Sequence, residues 1–235
     1  MAAGAVISAL AFFPGECAVP KSVAAPGEPV YQIKVSLEYI EPEIWRRFLV
    51  PAAMTLDQFH RVLQIAFGWT NSHMHHFFTK DNKFYEPPSP YRDPFGEEPA
   101  GDSRKTRLSD VLSRVKSALR YEYDMGDSWL HFIVLEKILV HEDGAQLPWC
   151  VDGANAGPPD DCGGPPGYAN LLEAFADPKH PEHAEMLEWM DGPFDPAQFQ
   201  RDSINRALKP KPARKAPAKS KARRVWLHVP SARKP

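Results

Sequence analysis

The stretch from Leu119 to Val140 constrains the fold more than any other. Leu119, Tyr121 and Tyr123 alternate with Arg120, Glu122 and Asp124, the two-residue period of a half-buried strand. Met125-Gly126-Asp127-Ser128 follows with turn-forming residues, and Trp129 to Val140 then runs on nearly unbroken in apolar and β-branched types. Strand, turn and strand in that order predict an antiparallel hairpin whose second arm is a central strand. Two strand signals precede it. Tyr31, Ile33, Val35, Leu37 and Tyr39 alternate with polar residues, and Pro42 and Pro51 bracket a short apolar run from Ile44 to Val50.

Helices are signalled by their caps. Thr55-Leu56-Asp57-Gln58 is a capping box, Leu56, Phe59, Leu63 and Phe67 fall at helical spacing, and Gly68 stands where a terminating glycine belongs. Trp69 to Phe78 reads as a turn entering a strand, with His73, His75 and Phe77 on one face and Met74, His76 and Phe78 on the other. Glu86 to Arg104 reads as a mobile Pro/Gly/acid-rich loop, and Leu108 to Val115 as a short helix with Ser109 as N-cap. Past Tyr168 three helices are expected. The first carries Leu171, Leu172 and Phe175, the second runs from Pro181 to Met190, and the third opens at Asp195-Pro196 and reaches about Leu208. No internal repeat is visible. The expected class is α+β, an antiparallel sheet with a helix after the first strands and a C-terminal helical segment. One domain over residues 30–208 is expected between a disordered leader, 1–29, and a disordered basic tail, 209–235.

Charge separates that tail from the rest. Ten of the 28 Lys and Arg lie in residues 209–235, which hold no Asp or Glu, so the remainder sets 18 basic residues against 30 acidic ones, about −12. An acidic body repels phosphate and makes a poor nonspecific binder of nucleic acid. Three Cys (Cys17, Cys150 and Cys162) argue against a disulfide framework and for a reducing, cytoplasmic setting. The apolar run from Ala5 to Phe13 is too short to span a bilayer and follows no basic segment, so no membrane partner is expected.

Several motifs occur together: Ile44-Trp45-Arg46-Arg47; Thr55-Leu56 opening a helix to Phe67-Gly68-Trp69; His73-Met74-His75 with Phe77; and Tyr123-Asp124-Met125-Gly126-Asp127-Ser128-Trp129-Leu130-His131. Pro158-Pro159-Asp160-Asp161-Cys162-Gly163-Gly164, Gly167-Tyr168, Trp189 and Phe194-Asp195-Pro196 complete the set. Over about residues 30–208 the chain resembles the Ri-plasmid open-reading-frame-three-like family, also described as the TnpR-type passenger protein of an insertion element. The resemblance implies an α+β fold with an antiparallel sheet, a link to plasmids or mobile elements, and no assigned function. The TnpR label suggests a resolvase, but this chain has no serine-recombinase pattern, no helix-turn-helix signature and an acidic body. Met125 stands where the family more often has an aromatic residue. Ala154-Asn155-Ala156 lacks the basic residue often found before Pro-Pro, which weakens an anion-binding role for that loop.

Four constellations carry chemistry. Cys150, Cys162 and His131, with Asp160, Asp161, His73 and His75 nearby in type, could ligate a divalent metal such as zinc; the competing reading is two semi-buried thiols and a loop capped by Asp. Asp124, Asp127 and His131, joined by Asp160 and Asp161, could form a polar acid–base site, since an imidazole needs a carboxylate to fix its tautomer. Otherwise Asp127 holds turn amides and His131 packs in the sheet. The Asp127 turn and the Asp160–Tyr168 loop are expected side by side. Arg46 and Arg47 could hold an anion or nucleic acid with Trp45 stacked on it; otherwise Trp45 faces the core and both Arg pair with acids. Arg214, Lys215, Arg223 and Arg224 could contact nucleic acid nonspecifically, with Trp226-Leu227 as a docking element, or form a solvated tail. No phosphate loop, Gly-x-Ser-x-Gly or His-Glu-x-x-His is present. A non-enzymatic binding module for protein or nucleic acid is therefore expected. The alternative is a small metal-dependent hydrolase using the Cys/Asp/His set.

Overall fold

The computed structural model describes residues 27–88, 99–142, 144–190 and 194–209. Among them, eight strands form one sheet and five helices accompany it, an α+β architecture. In chain order the elements are β1 (Pro29–Leu37), β2 (Trp45–Pro51), α1 (Leu56–Phe67), β3 (His75–Phe78), β4 (Phe84–Glu86), β5 (Gly101–Asp102), α2 (Leu108–Val111), β6 (Ala118–Tyr123), β7 (Trp129–Val140), β8 (Trp149–Ala154), α3 (Gly164–Ala176), α4 (His183–Trp189) and α5 (Arg201–Ala207). Across the sheet they run β5-β4-β3-β6-β7-β1-β2-β8, antiparallel throughout except for the parallel β4–β5 pair.

The expected hairpin is β6–β7, in register from Tyr123 opposite Trp129 to Ala118 opposite Val134. β7 is central, between β6 and β1. Its apolar run does not mean cover on both faces. Trp129, His131, Ile133 and Leu135 are buried, whereas Phe132, Ile138, Leu139 and Val140 are exposed. The covered face packs on α1, whose Leu56, Phe59, Val62, Leu63, Ala66 and Phe67 enter one core with Ile33, Phe48, Phe77 and Tyr121. That helix begins and ends as its sequence dictates. Thr55 and Gln58 exchange side-chain bonds with each other's backbone amides, and Gly68 closes it in the left-handed conformation.

Four expected elements are redrawn. Of the expected Glu86–Arg104 loop, residues 89–98 lie outside the described residues; beyond them Gly101–Asp102 forms β5, and buried Ser103 donates its amide to the Glu86 carbonyl. The expected Leu108–Val115 helix is only Leu108–Val111, and Arg107 precedes it, its amide bonded to the Asp110 carboxylate. The second C-terminal helix is His183–Trp189 within the expected Pro181–Met190. Asp195-Pro196 makes a turn, in which Asp195 accepts the amides of Ala197 and Gln198, and the third helix starts only at Arg201. The leader up to residue 26 and the tail from 210 lie outside the described residues, and with them Cys17, Arg214, Lys215, Arg223, Arg224, Trp226 and Leu227.

Edge strand β8 is covered by α5, where the buried Asn205 amide both accepts from the Cys150 N–H and donates to the Cys150 carbonyl. Asn205→Ala leaves both groups buried and unpaired. It should cost about 2–4 kcal/mol, read as a lower urea midpoint at unchanged m-value.

Candidate functional site

The polar residues of the chain converge where three turns meet at one end of the sheet. Gly68 reverses the chain after α1 and delivers Trp69 into the core. The Trp69 ring stacks on Tyr123 at 4.9 Å, and its indole N–H donates to the Pro158 carbonyl at 2.9 Å. This pulls the 158–164 loop against the turn that follows α1. Thr70 donates from its amide (3.0 Å) and its hydroxyl to Asp160 Oδ2.

The β6–β7 turn forms the third wall. Asp124 adopts φ +56°, and its Oδ1 accepts the amides of Gly126 (2.9 Å) and Asp127 (3.4 Å). Asp127 Oδ2 in turn accepts the Gly163 amide at 3.1 Å, so turn and loop lie side by side as expected. Gly164 allows this contact: it sits at φ +67°, and an added Cβ would collide with the Asp127 carbonyl. The Gly-rich loop therefore serves close backbone approach.

His73 completes the cluster. Its Nε2 lies 2.9 Å from Asp161 Oδ1 and 3.6 Å from Asp124 Oδ2. This is the one His/Cys/Asp/Glu group among the described residues with three ligand-type atoms within 4.8 Å of one another. Asp124, Asp127, Asp160 and Asp161 are thus brought together. Here His73 stands where the sequence pointed to His131.

His131 lies elsewhere. It is 0% exposed, its Nδ1 bonds the Trp129 carbonyl, and its ring packs edge-on against Phe67 and Trp69. The expected Cys150–Cys162–His131 ligand set does not assemble. Cys150 sits in β8, three strands from β7 and several residues out of register with His131, a separation of more than roughly 14 Å. Burial pushes the Cys150 thiol up to about 11, and burial together with the Asp127 charge pushes Cys162 up to about 12, so neither thiol offers a ready thiolate.

In the Trp45 strand Arg47 pairs with acidic residues as one reading expected, but the residue facing the core is Arg46 and not Trp45. Arg46 faces inward, 2% exposed, between the Phe67 and Phe199 rings. Its guanidinium donates to the carbonyls of Ala66, Trp45 and Ala154, and burial lowers its pKa to about 10. Ala66 lies in the last turn of α1, where carbonyl dipoles favour a cation. Arg46 therefore ties α1 to β8 and is closed to any polyanion. Arg47 points outward, paired with Glu136 at 2.7 Å and lying under the Trp45 ring at 4.9 Å.

Beside Asp161 the loop opens into a cleft of about 450 Å³ between α3 and α4. Asp161, Glu185 and Glu188 give it three carboxylates, and Leu171, Met186 and Trp189 an apolar lining. No residue of α4 is buried, and Trp189 is 48% exposed. Glu185 and Glu188 lack any special spacing, so only packing could reveal that they line the same cleft as Asp161.

Residues 29–203 match the family model of plasmid pRiA4b ORF-3-like proteins. The uncharacterised protein y4hQ of Sinorhizobium fredii (strain NBRC 101917 / NGR234) is 38% identical over 195 residues, 81% of this chain and 98% of that protein. The crystal structure of a protein of unknown function from Methanosarcina mazei Go1, MM3350, matches with a TM-score of 0.65 at 32% identity, covering 75% of this chain and 97% of that one. Neither name states an activity.

The core around this site holds three imidazoles that resist protonation. Burial lowers His60 to about 4, His131 to about 3 and His75 to about 2, from an ordinary 6.5. His60 stacks on His75 at 3.5 Å, and the charge of one also disfavours that of the other. In the unfolded chain these groups titrate near 6.5. Below that pH the unfolded state binds more protons, so stability should be complete above about pH 7 and fall as pH drops, until each folded-state value is passed. The slope approaches about 1.4 kcal/mol per pH unit for each histidine. Urea midpoints at pH 7.5, 6.0 and 5.0 read this directly; a flat profile would mean these rings are not buried and neutral.

Proposed function

The chain belongs to the plasmid pRiA4b ORF-3-like family, and on that premise we propose that it is a non-enzymatic binding module. Its ligand is a protein segment carrying Lys or Arg beside a bulky apolar side chain. The observation that carries this reading is the α3–α4 cleft, where three carboxylates surround Leu171, Met186 and Trp189. A cationic head can meet Glu185, Glu188 and Asp161 while its neighbour covers the exposed Trp189 ring, the kind of anchor that dominates interfaces.

Charge favours a protein over a nucleic acid in this cleft, since a polyanion would meet carboxylates and an acidic body. The hydrolase alternative draws no support from its cysteines, whose thiols are held protonated by burial. Among the described residues no helix is long and apolar enough to cross a membrane.

The full chain should bind a labelled Lys-Arg-Trp-Leu-Arg-Lys peptide in a saturable, salt-sensitive way, measured by fluorescence anisotropy. Trp189→Ala and the double variant Glu185→Gln/Glu188→Gln should each weaken it about tenfold. Affinity unchanged in both variants would remove the cleft from the reading.

A further inference from the structure

We propose that His73, Asp124 and Asp161 form a binding site for one divalent transition-metal ion, which clasps the 158–164 loop to the β6–β7 turn. The inference shares Asp161 with the peptide reading but does not rest on it, because its ligands do not include Glu185, Glu188 or Trp189.

Spacing comes first. An ion with bonds of about 2.1 Å holds neighbouring ligand atoms roughly 3.0–3.4 Å apart. The His73 Nε2 distances of 2.9 and 3.6 Å to the two carboxylates bracket that range. An imidazole with two carboxylates is a donor set for zinc, manganese or iron(II), and no thiolate is needed.

A second observation is independent of the acidic character. The His73 side chain is 29% exposed, but its Nε2 atom is closed to solvent, and its 2.9 Å contact with Asp161 Oδ1 is an ion pair without hydrogen-bond geometry. Asp160 Oδ1, beside it in the loop, is likewise buried without a hydrogen-bond partner. An ion at the centre of the cluster would give the imidazole nitrogen a well-aligned partner in place of its poorly aligned contact with Asp161.

The supporting contacts are those that orient metal ligands elsewhere. Gly126 and Asp127 amides hold Asp124 Oδ1, which leaves Oδ2 facing His73. Thr70 holds Asp160, and Asp127 holds the Gly163 amide, so the loop that carries Asp161 is fixed before any ion arrives. The Tyr123 ring packs edge-on against His73 at 5.7 Å and limits its rotation. Asp124 is 9% exposed, whereas Asp161 is open, so an ion can enter from the Asp161 side.

The test uses the full chain without a histidine tag, freed of metal by chelation. Titration calorimetry with Zn²⁺ and with Mn²⁺ should show one saturable site for at least one of them, and that ion should raise the melting temperature. His73→Ala and Asp161→Asn should each weaken binding by at least about 100-fold and abolish the thermal shift, while Cys150→Ala and Cys162→Ala leave both unchanged. Near-UV circular dichroism checks that the variants fold; if His73→Ala does not, Asp161→Asn, at an exposed loop position, decides. The absence of saturable binding by the parent chain overturns the site. So does binding that survives Asp161→Asn, or binding lost only in the cysteine variants. Glu185→Gln/Glu188→Gln should bind metal normally, which separates failure here from failure of the peptide site.

Discussion

The position of Trp69 governs the rest of the molecule. Its ring is 2% exposed and lies among Phe67, Tyr123, Trp129 and His131, while its single polar atom reaches out to the Pro158 carbonyl. One side chain thus belongs to the core and anchors the loop that carries Asp160 and Asp161. Burying an indole is favourable, but its N–H must find a partner, and the loop backbone supplies it. The acidic cluster is therefore built from the core outward, and its geometry inherits the rigidity of α1 packed on β6 and β7.

That core is itself unusual in its chemistry. His60, His75 and His131 sit where apolar residues would serve, and Tyr121 gathers a hydrogen bond from Gln64 and a contact from His60. Asn71 bonds His60 through its side chain and Gln64 through its amide, so the turn after α1 is tied to buried polar groups at two points. The bonded set of His60, Tyr121, Gln64 and Asn71 specifies one arrangement more narrowly than an apolar core does, whereas the Nε2 atoms of His75 and His131 are buried without a hydrogen-bond partner. The same residues that hold Thr70 to Ser72 in place also set where His73 emerges.

The cleft and the cluster share Asp161 but differ in what they ask of it. In the cluster it faces an imidazole; at the cleft mouth it adds to the negative charge of Glu185 and Glu188. A cation bound in the first would lower the field in the second, so the two sites are electrostatically coupled across one side chain. α4, which has no buried residue, is the wall of the cleft with least to hold it.

Much of the architecture was legible in the sequence because it rests on local rules. The capping box of α1, the Gly68 stop, the β6–β7 hairpin and the alternation of β1 follow from side chains within a few positions of one another. The convergence of the Asp127 turn with the Asp160–Tyr168 loop was legible too, since both are rich in polar side chains at the edge of one central strand. The family was legible for the same reason: its motifs are those turns. What failed needed distances between strands. Trp45 and Arg46 exchange faces because the pairing of β2 with β1 and β8 fixes its register, and a strand's period cannot say which face is inward. Asp195-Pro196 has the residues of a helix start, yet it closes a turn, its carbonyl and carboxylate accepting the amides that follow. His131 and His73 offer the same imidazole, and only the sheet decides that the first is sealed beneath Trp69 while the second meets two carboxylates. Composition names the groups capable of chemistry; which of them share a site depends on strand order and register, which this sequence specifies only through the whole packed core.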